Sequence, residues 1–283
     1  MLVNLKTVLD KARNGKRAIG AFNIYNMETV QAVFEAAQKK DSPVILAFGE
    51  GYFSHAEVEV IATMVRKMCS GSAVPVVLHL DHAKKKESII RAIRCGFTSV
   101  MYDGSALSLR DNINNTVDIV QIAHSVDVSV EGELGYMNSE DGGTCSIEPE
   151  YRKGYTTPEE AESFVAGTGV DALAVSIGNA HGLYKALPQL DFERLDRINK
   201  TVDVPLVLHG SSGIPDEMLK TAISLGICKI NINTEISAAA VRHIRNFLEQ
   251  NRDESLRFDR VMAEAGKGMT AAIEKYMDIF EKA

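Results

Sequence analysis

VPVVLHLDHAKKKESIIRAIRCGFTSVMYDG, residues 74–104, holds a complete folding unit. The apolar run Val76–His79 reads as a buried strand. KESIIRAIRCG places Ile89, Ala92 and Ile93 at the i, i+3, i+4 spacing of an amphipathic helix, and Ser99–Tyr102 reads as a second strand. A strand, a helix and a strand within about 30 residues form the crossover that joins parallel neighbours.

Outward from this unit the pattern repeats. Segments rich in β formers lie at Ala18–Ile24, Val44–Ala47, Val76–His79, Ser99–Tyr102, Ser129–Glu133, Ala172–Ser176, Leu206–His209 and Lys229–Asn233. Between them run METVQAVFEAAQKK (27–40), LRDNINNTVDIVQIAHSV (109–126), TPEEAESFVAGTG (157–169) and DEMLKTAISLG (216–226), each with helical apolar spacing. Thr157-Pro158-Glu159-Glu160 is a helix start and Gly226 a helix stop. Nearly all-apolar strands alternating with helices imply a parallel sheet covered by helices. Eight of them in 283 residues predict an α/β fold, a (β/α)8 TIM barrel forming a single domain over residues 1–283. The rival is a doubly wound open sheet, whose Gly-rich first turn is missing here. Residues 134–154 are polar and Gly-rich with no apolar period, which predicts a mobile active-site loop. Residues 251–283 read as one or two closing helices.

Composition narrows the function. A net charge of −7 argues against nucleic acid, which is bound by clustered Lys and Arg. Cys69, Cys95, Cys145 and Cys228 show neither CxxC nor metal-ligand spacing, as expected of reduced thiols. No apolar run approaches the roughly 20 residues of a membrane span, and charges interrupt the first 20 residues where a signal peptide needs an apolar block. A cytoplasmic location with no membrane partner is the expectation.

In a parallel barrel, chemistry collects at the C-terminal ends of the strands. Strand three ends in His79-Leu80-Asp81-His82, strand four in Asp103-Gly104-Ser105, strand five in Glu131-Gly132-Glu133, strand six in Gly178–Gly182, strand seven in His209–Gly213, and strand eight in Asn231–Thr234. One histidine beside an apolar run is ordinarily a packed core residue. Three at one mouth suit a catalytic zinc ion with an open position, and His82, His181 and His209 are the candidate ligands. His79 is assigned a structural role, and His55, His124 and His243 surface or packing roles. Asp81 is either an orienting partner of an imidazole or a general acid/base. Asp103 and Glu133 are candidates for a second or alternative metal position. HGSSGIPDEMLK (209–220) sets glycines and serines before a helix start, after a strand where barrels often bind phosphate. Lys229, Asn231, Asn233 and Thr234 would add donors from strand eight.

Taken together, AIGAFNIYNMET (18–29), VPVVLHLDHAKKK (74–86), VSVEGELG (128–135), SIGNAHGLY (176–184), DVPLVLHGSSGIP (203–215) and LGICKININTE (225–235) make the chain resemble the class II, metal-dependent ketose-bisphosphate aldolases. That group holds the fructose-1,6-bisphosphate and tagatose-1,6-bisphosphate aldolases. The resemblance runs over residues 1–240 in unbroken order. It implies that Asp81 is the catalytic acid/base and that His82, His181 and His209 bind Zn2+. It further implies that Asn23, Gly182, Gly210, Ser211, Ser212, Asn231, Ile232, Asn233 and Thr234 hold dihydroxyacetone phosphate. A monovalent cation, Na+ or K+, would lie near Gly182, Gly210 and Ser212.

The implied reaction is reversible cleavage of a ketose 1,6-bisphosphate to dihydroxyacetone phosphate and glyceraldehyde 3-phosphate, with zinc stabilising the enediolate, in a homodimer or homotetramer. Two departures stand out. The loop after strand five reads GYMNSEDGG where the family commonly has GGxED, so Glu140 is the candidate loop base, with Asp141 behind it. The C-terminal region reads ESLRFDRVM where many members have DPR, leaving Arg257 or Arg260 for the second phosphate. Another ketose 1-phosphate is therefore an alternative substrate. A zinc-dependent hydrolase or a non-catalytic sugar-phosphate sensor are the alternatives on the same barrel.

Overall fold

A computed structural model describes residues 1–135, 144–145, 154–184, 186–252 and 255–281. Eight strands are β1 Ile19–Asn23, β2 Val44–Gly49, β3 Val76–Ala83, β4 Ser99–Tyr102, β5 Ser129–Leu134, β6 Ala172–Val175, β7 Leu206–Leu208 and β8 Ile227–Ile232. Every neighbouring pair is parallel, and β1 pairs with both β2 and β8, so the sheet closes on itself. This is the (β/α)8 barrel expected from the sequence.

Helices α1 Leu5–Asn14, α2 Met27–Lys40, α3 Val58–Met68, α4 Lys86–Cys95, α5 Leu109–His124, α6 Pro158–Thr168, α7 Phe192–Thr201, α8 Asp216–Ser224, α9 Thr234–Gln250 and α10 Phe258–Glu281 complete the fold. Their ends carry the predicted signals. Thr157 and Glu160 form a reciprocal capping box at the start of α6, and Gly169 closes that helix in the left-handed conformation. The closing region contributes one helix, α10, and α9 begins at Thr234, directly after β8.

Alternation along the strands sorts the interior into two cores. Outward residues such as Leu46, Phe48, Leu78, Leu173 and Leu208 join the helices in one cluster. Inward residues Ile19, Ala21, Ile45, Val77, Ala172, Ala174 and Val207 form the other. Leu5, Val8, Leu9 and Ala12 of α1 belong to this second cluster, so α1 seals the N-terminal end of the barrel. Above that apolar layer the inward positions turn polar. Asn23, His79, Asp81, Ser99, Glu131, Glu133, His209, Lys229 and Asn231 are all buried.

Most of the loop expected over residues 134–154, with Glu140 and Asp141, lies outside the described residues. Thr144–Cys145 pairs in parallel with Leu183–Tyr184. Among the described residues, Cys69, Cys95 and Cys228 are free thiols, and no helix is long and apolar enough to cross a membrane.

Leu9 is fully buried in the α1 plug. Leu9→Ala should cost about 2–5 kcal/mol of unfolding free energy, read from the urea midpoint. An unchanged midpoint would mean that α1 does not close the barrel.

Candidate active site

The strand β3 runs further than its apolar residues suggested and includes the whole of His79–His82. Its inward face carries His79 and Asp81, both buried. His82 would point outward by simple alternation, yet its φ is 48°, in the left-handed region, and the β3–β4 register shifts between Leu80 and Ala83. That irregularity swings the ring back over the barrel mouth. A left-handed non-glycine residue costs on the order of 1–3 kcal/mol and persists where the surroundings hold it.

Three imidazoles meet above the polar layer. The ring centroids of His82 lie 4.9 Å from His181 and 4.6 Å from His209, and those of His181 and His209 lie 6.0 Å apart. One ring nitrogen from each falls within 4.8 Å of the others. His82 Nε2 and His209 Nδ1 face each other at 2.9 Å. His82, Asp103 and Glu133 form a second set of three on the other side of the His82 ring. His82 Nδ1 lies 3.3 Å from Asp103 Oδ2 and 3.6 Å from Glu133 Oε2, and that glutamate oxygen is buried with no hydrogen-bond partner among the described residues. Neutral imidazoles and carboxylates converging in this way are a donor set for a divalent cation, and the orphaned oxygen of Glu133 fits a cation beside His82.

Asp81 sits directly beneath. Asn23 Nδ2 donates to its Oδ2 at 3.1 Å, and Asn231 Nδ2 donates to its Oδ1 at 3.1 Å. Burial raises the carboxyl's proton affinity, but His82, His209 and Lys229 outweigh it and hold Asp81 well below the usual carboxylate range. Burial likewise opposes charge on His82, yet Asp81, Asp103 and Glu133 overcome it and push the imidazole up to about 9. His181 is pushed down to about 3 by burial and by its charged neighbour His82. Glu133 is pushed up to about 8 by burial and by Asp103.

The opposite wall is made of backbone. Gly210 has φ 59°, and a Cβ there would collide with the Ala180 carbonyl, so only glycine lets the loops after β6 and β7 approach. Tyr184 Oη ties them together, accepting from Ala180 N at 2.9 Å and donating to the Gly210 carbonyl at 2.8 Å. Ser211 and Ser212 are buried beneath, and Gly182 adopts φ 96°. The helix α8 begins only at Asp216, with Asp216 and Glu217 in its first turn. The helix α9 starts at Thr234 straight from β8; among the described residues the Asn233 side chain makes no capping bond there, Glu235 lies in the first turn, and Glu235 N donates to Ser212 Oγ at 3.4 Å.

Other expected residues take different places. Lys229 does not face the mouth; it is fully buried and ion-paired to Glu131, because β8 turns it inward one layer below Asn231. Ile232 points into the helix-side core, leaving only its backbone near the site. Asn233 Nδ2 donates to Tyr52 Oη at 3.0 Å. Arg257 is an exposed residue paired with Asp259 at the start of α10. His79 Nδ1 pairs with Ser99 Oγ at 2.8 Å inside the barrel, and His124 pairs with Asp171. Tyr52, Tyr184 and Glu131 escaped the sequence reading. A tyrosine after a strand carries no signal of its own, and Glu131 was visible only as one more acidic residue at a strand end.

With His82 held as an imidazolium below about 9 and the other two rings neutral, a cation entering this site must displace the His82 proton. Zinc affinity of the metal-free protein should therefore fall as pH drops from about 8 to about 6, with at least one proton released per ion, measured by chelator competition and indicator dye. Affinity flat over that range, with no proton released, would contradict the assignment.

Residues 3–283 match the family of class-II fructose-bisphosphate aldolases. Among solved structures, the YdjI aldolase of Escherichia coli K12 is 37% identical with a TM-score of 0.85, over 99% of this chain and 97% of that one. A protein of Coccidioides immitis assigned to the fructose-1,6-bisphosphate aldolases is 34% identical with a TM-score of 0.87, over 98% and 96%. The fructose-bisphosphate aldolase of Campylobacter jejuni, at 24% identity and a TM-score of 0.83 over 99% and 95%, shares the fold. With a barrel whose mouth gathers three histidines above a buried aspartate, and a match along essentially its whole length, the chain belongs to the class II aldolase family and is a lyase.

Proposed function

We propose that the protein reversibly cleaves a ketose 1,6-bisphosphate, fructose-1,6-bisphosphate or tagatose-1,6-bisphosphate, to dihydroxyacetone phosphate and glyceraldehyde 3-phosphate. The observation that carries this reading is the junction of His82, His181 and His209, within 4.8 Å of one another, with a buried Asp81 whose two oxygens are each held by an asparagine amide. His82, His181 and His209 would hold a zinc ion, which would supply a Lewis acid to polarise the substrate.

The chain's own groups do the rest. Asp81 is ionised, so in cleavage it accepts the C4 hydroxyl proton, and in condensation it returns it. Asn23 and Asn231 fix both its oxygens, which keeps it on the reacting hydroxyl. The phosphate of dihydroxyacetone phosphate is assigned to the wall of Gly182, Gly210, Ser211 and Ser212, beside the start of α9. Exchange of the proton on the dihydroxyacetone phosphate carbon is assigned to Glu140, outside the described residues.

Asp81→Ala should retain one zinc per chain and lose about two or more powers of ten in turnover, measured by coupled assay and metal analysis. Wild-type turnover in that variant would remove its role. His209→Ala should lose metal and activity together, and a fully metallated variant would contradict the ligand set. Cleavage rates on fructose-1,6-bisphosphate, tagatose-1,6-bisphosphate and the corresponding 1-phosphates, with and without chelator, test the reading as a whole. Dihydroxyacetone phosphate should form from a bisphosphate, and chelator should abolish it. Faster cleavage of a 1-phosphate would reassign the substrate, and no cleavage of any of them would sink the proposal.

A further inference from the structure

Beneath the histidines lies an ion pair that none of these steps uses. Lys229 Nζ of β8 is 2.8 Å from Glu131 Oε2 and 3.1 Å from Glu131 Oε1, and both side chains are fully buried. Glu131 Oε1 also lies 2.8 Å from His209 Nε2. The other nitrogen of that ring, Nδ1, is the one that faces His82 Nε2. An ionised carboxylate only accepts hydrogen bonds, so the contact with Glu131 keeps the His209 proton on Nε2 and leaves the Nδ1 lone pair pointing at the three-histidine junction. Two contacts from one ammonium hold the carboxylate in place and balance its charge where water does not reach. His79 Nε2, 3.6 Å from Glu131 Oε2, packs against the same carboxylate, and its ring is anchored by Ser99.

We propose that Glu131 and Lys229 are a positioning pair for the metal centre: Glu131 sets the tautomer and direction of His209, Lys229 sets Glu131, and together they tune the affinity of the site for a divalent cation. This rests on reading His82, His181 and His209 as metal ligands. Metal-ligating histidines bound through their second nitrogen to a carboxylate typically lose about 10–100-fold in metal affinity when that partner is removed.

The test uses the full chain and zinc itself. Removing one charge alone would strand the other in the barrel, so the informative variant is the neutral double, Glu131→Gln with Lys229→Met, which preserves approximate volume. Chelator competition should show zinc binding weakened by about 10–100-fold relative to wild type, with turnover recovering at saturating zinc and KM unchanged. Long-range 15N NMR of metal-free wild-type protein supplies a reading independent of any variant. The His209 ring should carry its proton on Nε2, and in the double variant it should become a mixture of tautomers. Zinc affinity within twofold of wild type in a folded double variant, or a wild-type His209 protonated on Nδ1 alone, would overturn the pair's role. A wild-type protein that binds no zinc would overturn the ligand reading and this inference with it.

Discussion

Six ionisable side chains, His79, Asp81, Glu131, Glu133, His209 and Lys229, are buried inside an eight-stranded barrel whose interior is wide enough only for side chains. Charge in such a place persists only where it is paired and hydrogen-bonded. Lys229 answers Glu131, Glu131 receives His209, and two asparagine amides receive Asp81. The carboxylates Asp81 and Asp103 in turn keep His82 charged in the metal-free protein. Apolar packing below and the loops above hold this network in place.

The fold makes such a layer possible by simple geometry. Inward positions from separate strands stack in levels, so the apolar level near α1 gives the core its hydrophobic burial while the next level is free for chemistry. Burial of this kind contributes roughly 25 cal/mol per Å2 of apolar surface, and that gain is what allows a few desolvated charges higher up. His82 is the exception to alternation. Its left-handed backbone and the neighbouring register shift bring an outward residue back to the mouth, giving one strand both a candidate metal ligand and the acid/base candidate beneath it.

Much of this was legible in the sequence, because periodicity records which face of each element is buried. All eight strands lie where the β-rich segments fell, and the rings of His82, His181 and His209 meet at strand ends as their spacing suggested. What stayed hidden depends on contacts between distant residues. Lys229 looked like a phosphate donor because a lysine near a glycine-rich loop is normally solvated; its partner is 98 positions away. Tyr184 likewise gains meaning only when the loops after β6 and β7 close on each other. The length of β3 was underestimated for a related reason: the reading stopped at His79, where the apolar run ends, yet Asp81 also faces inward and the strand continues to Ala83.

The helix α1 gives the vessel a floor. With Leu5, Val8, Leu9 and Ala12 filling the N-terminal end, the buried polar layer lies toward the C-terminal rim, where the rings of His82, His181 and His209 meet.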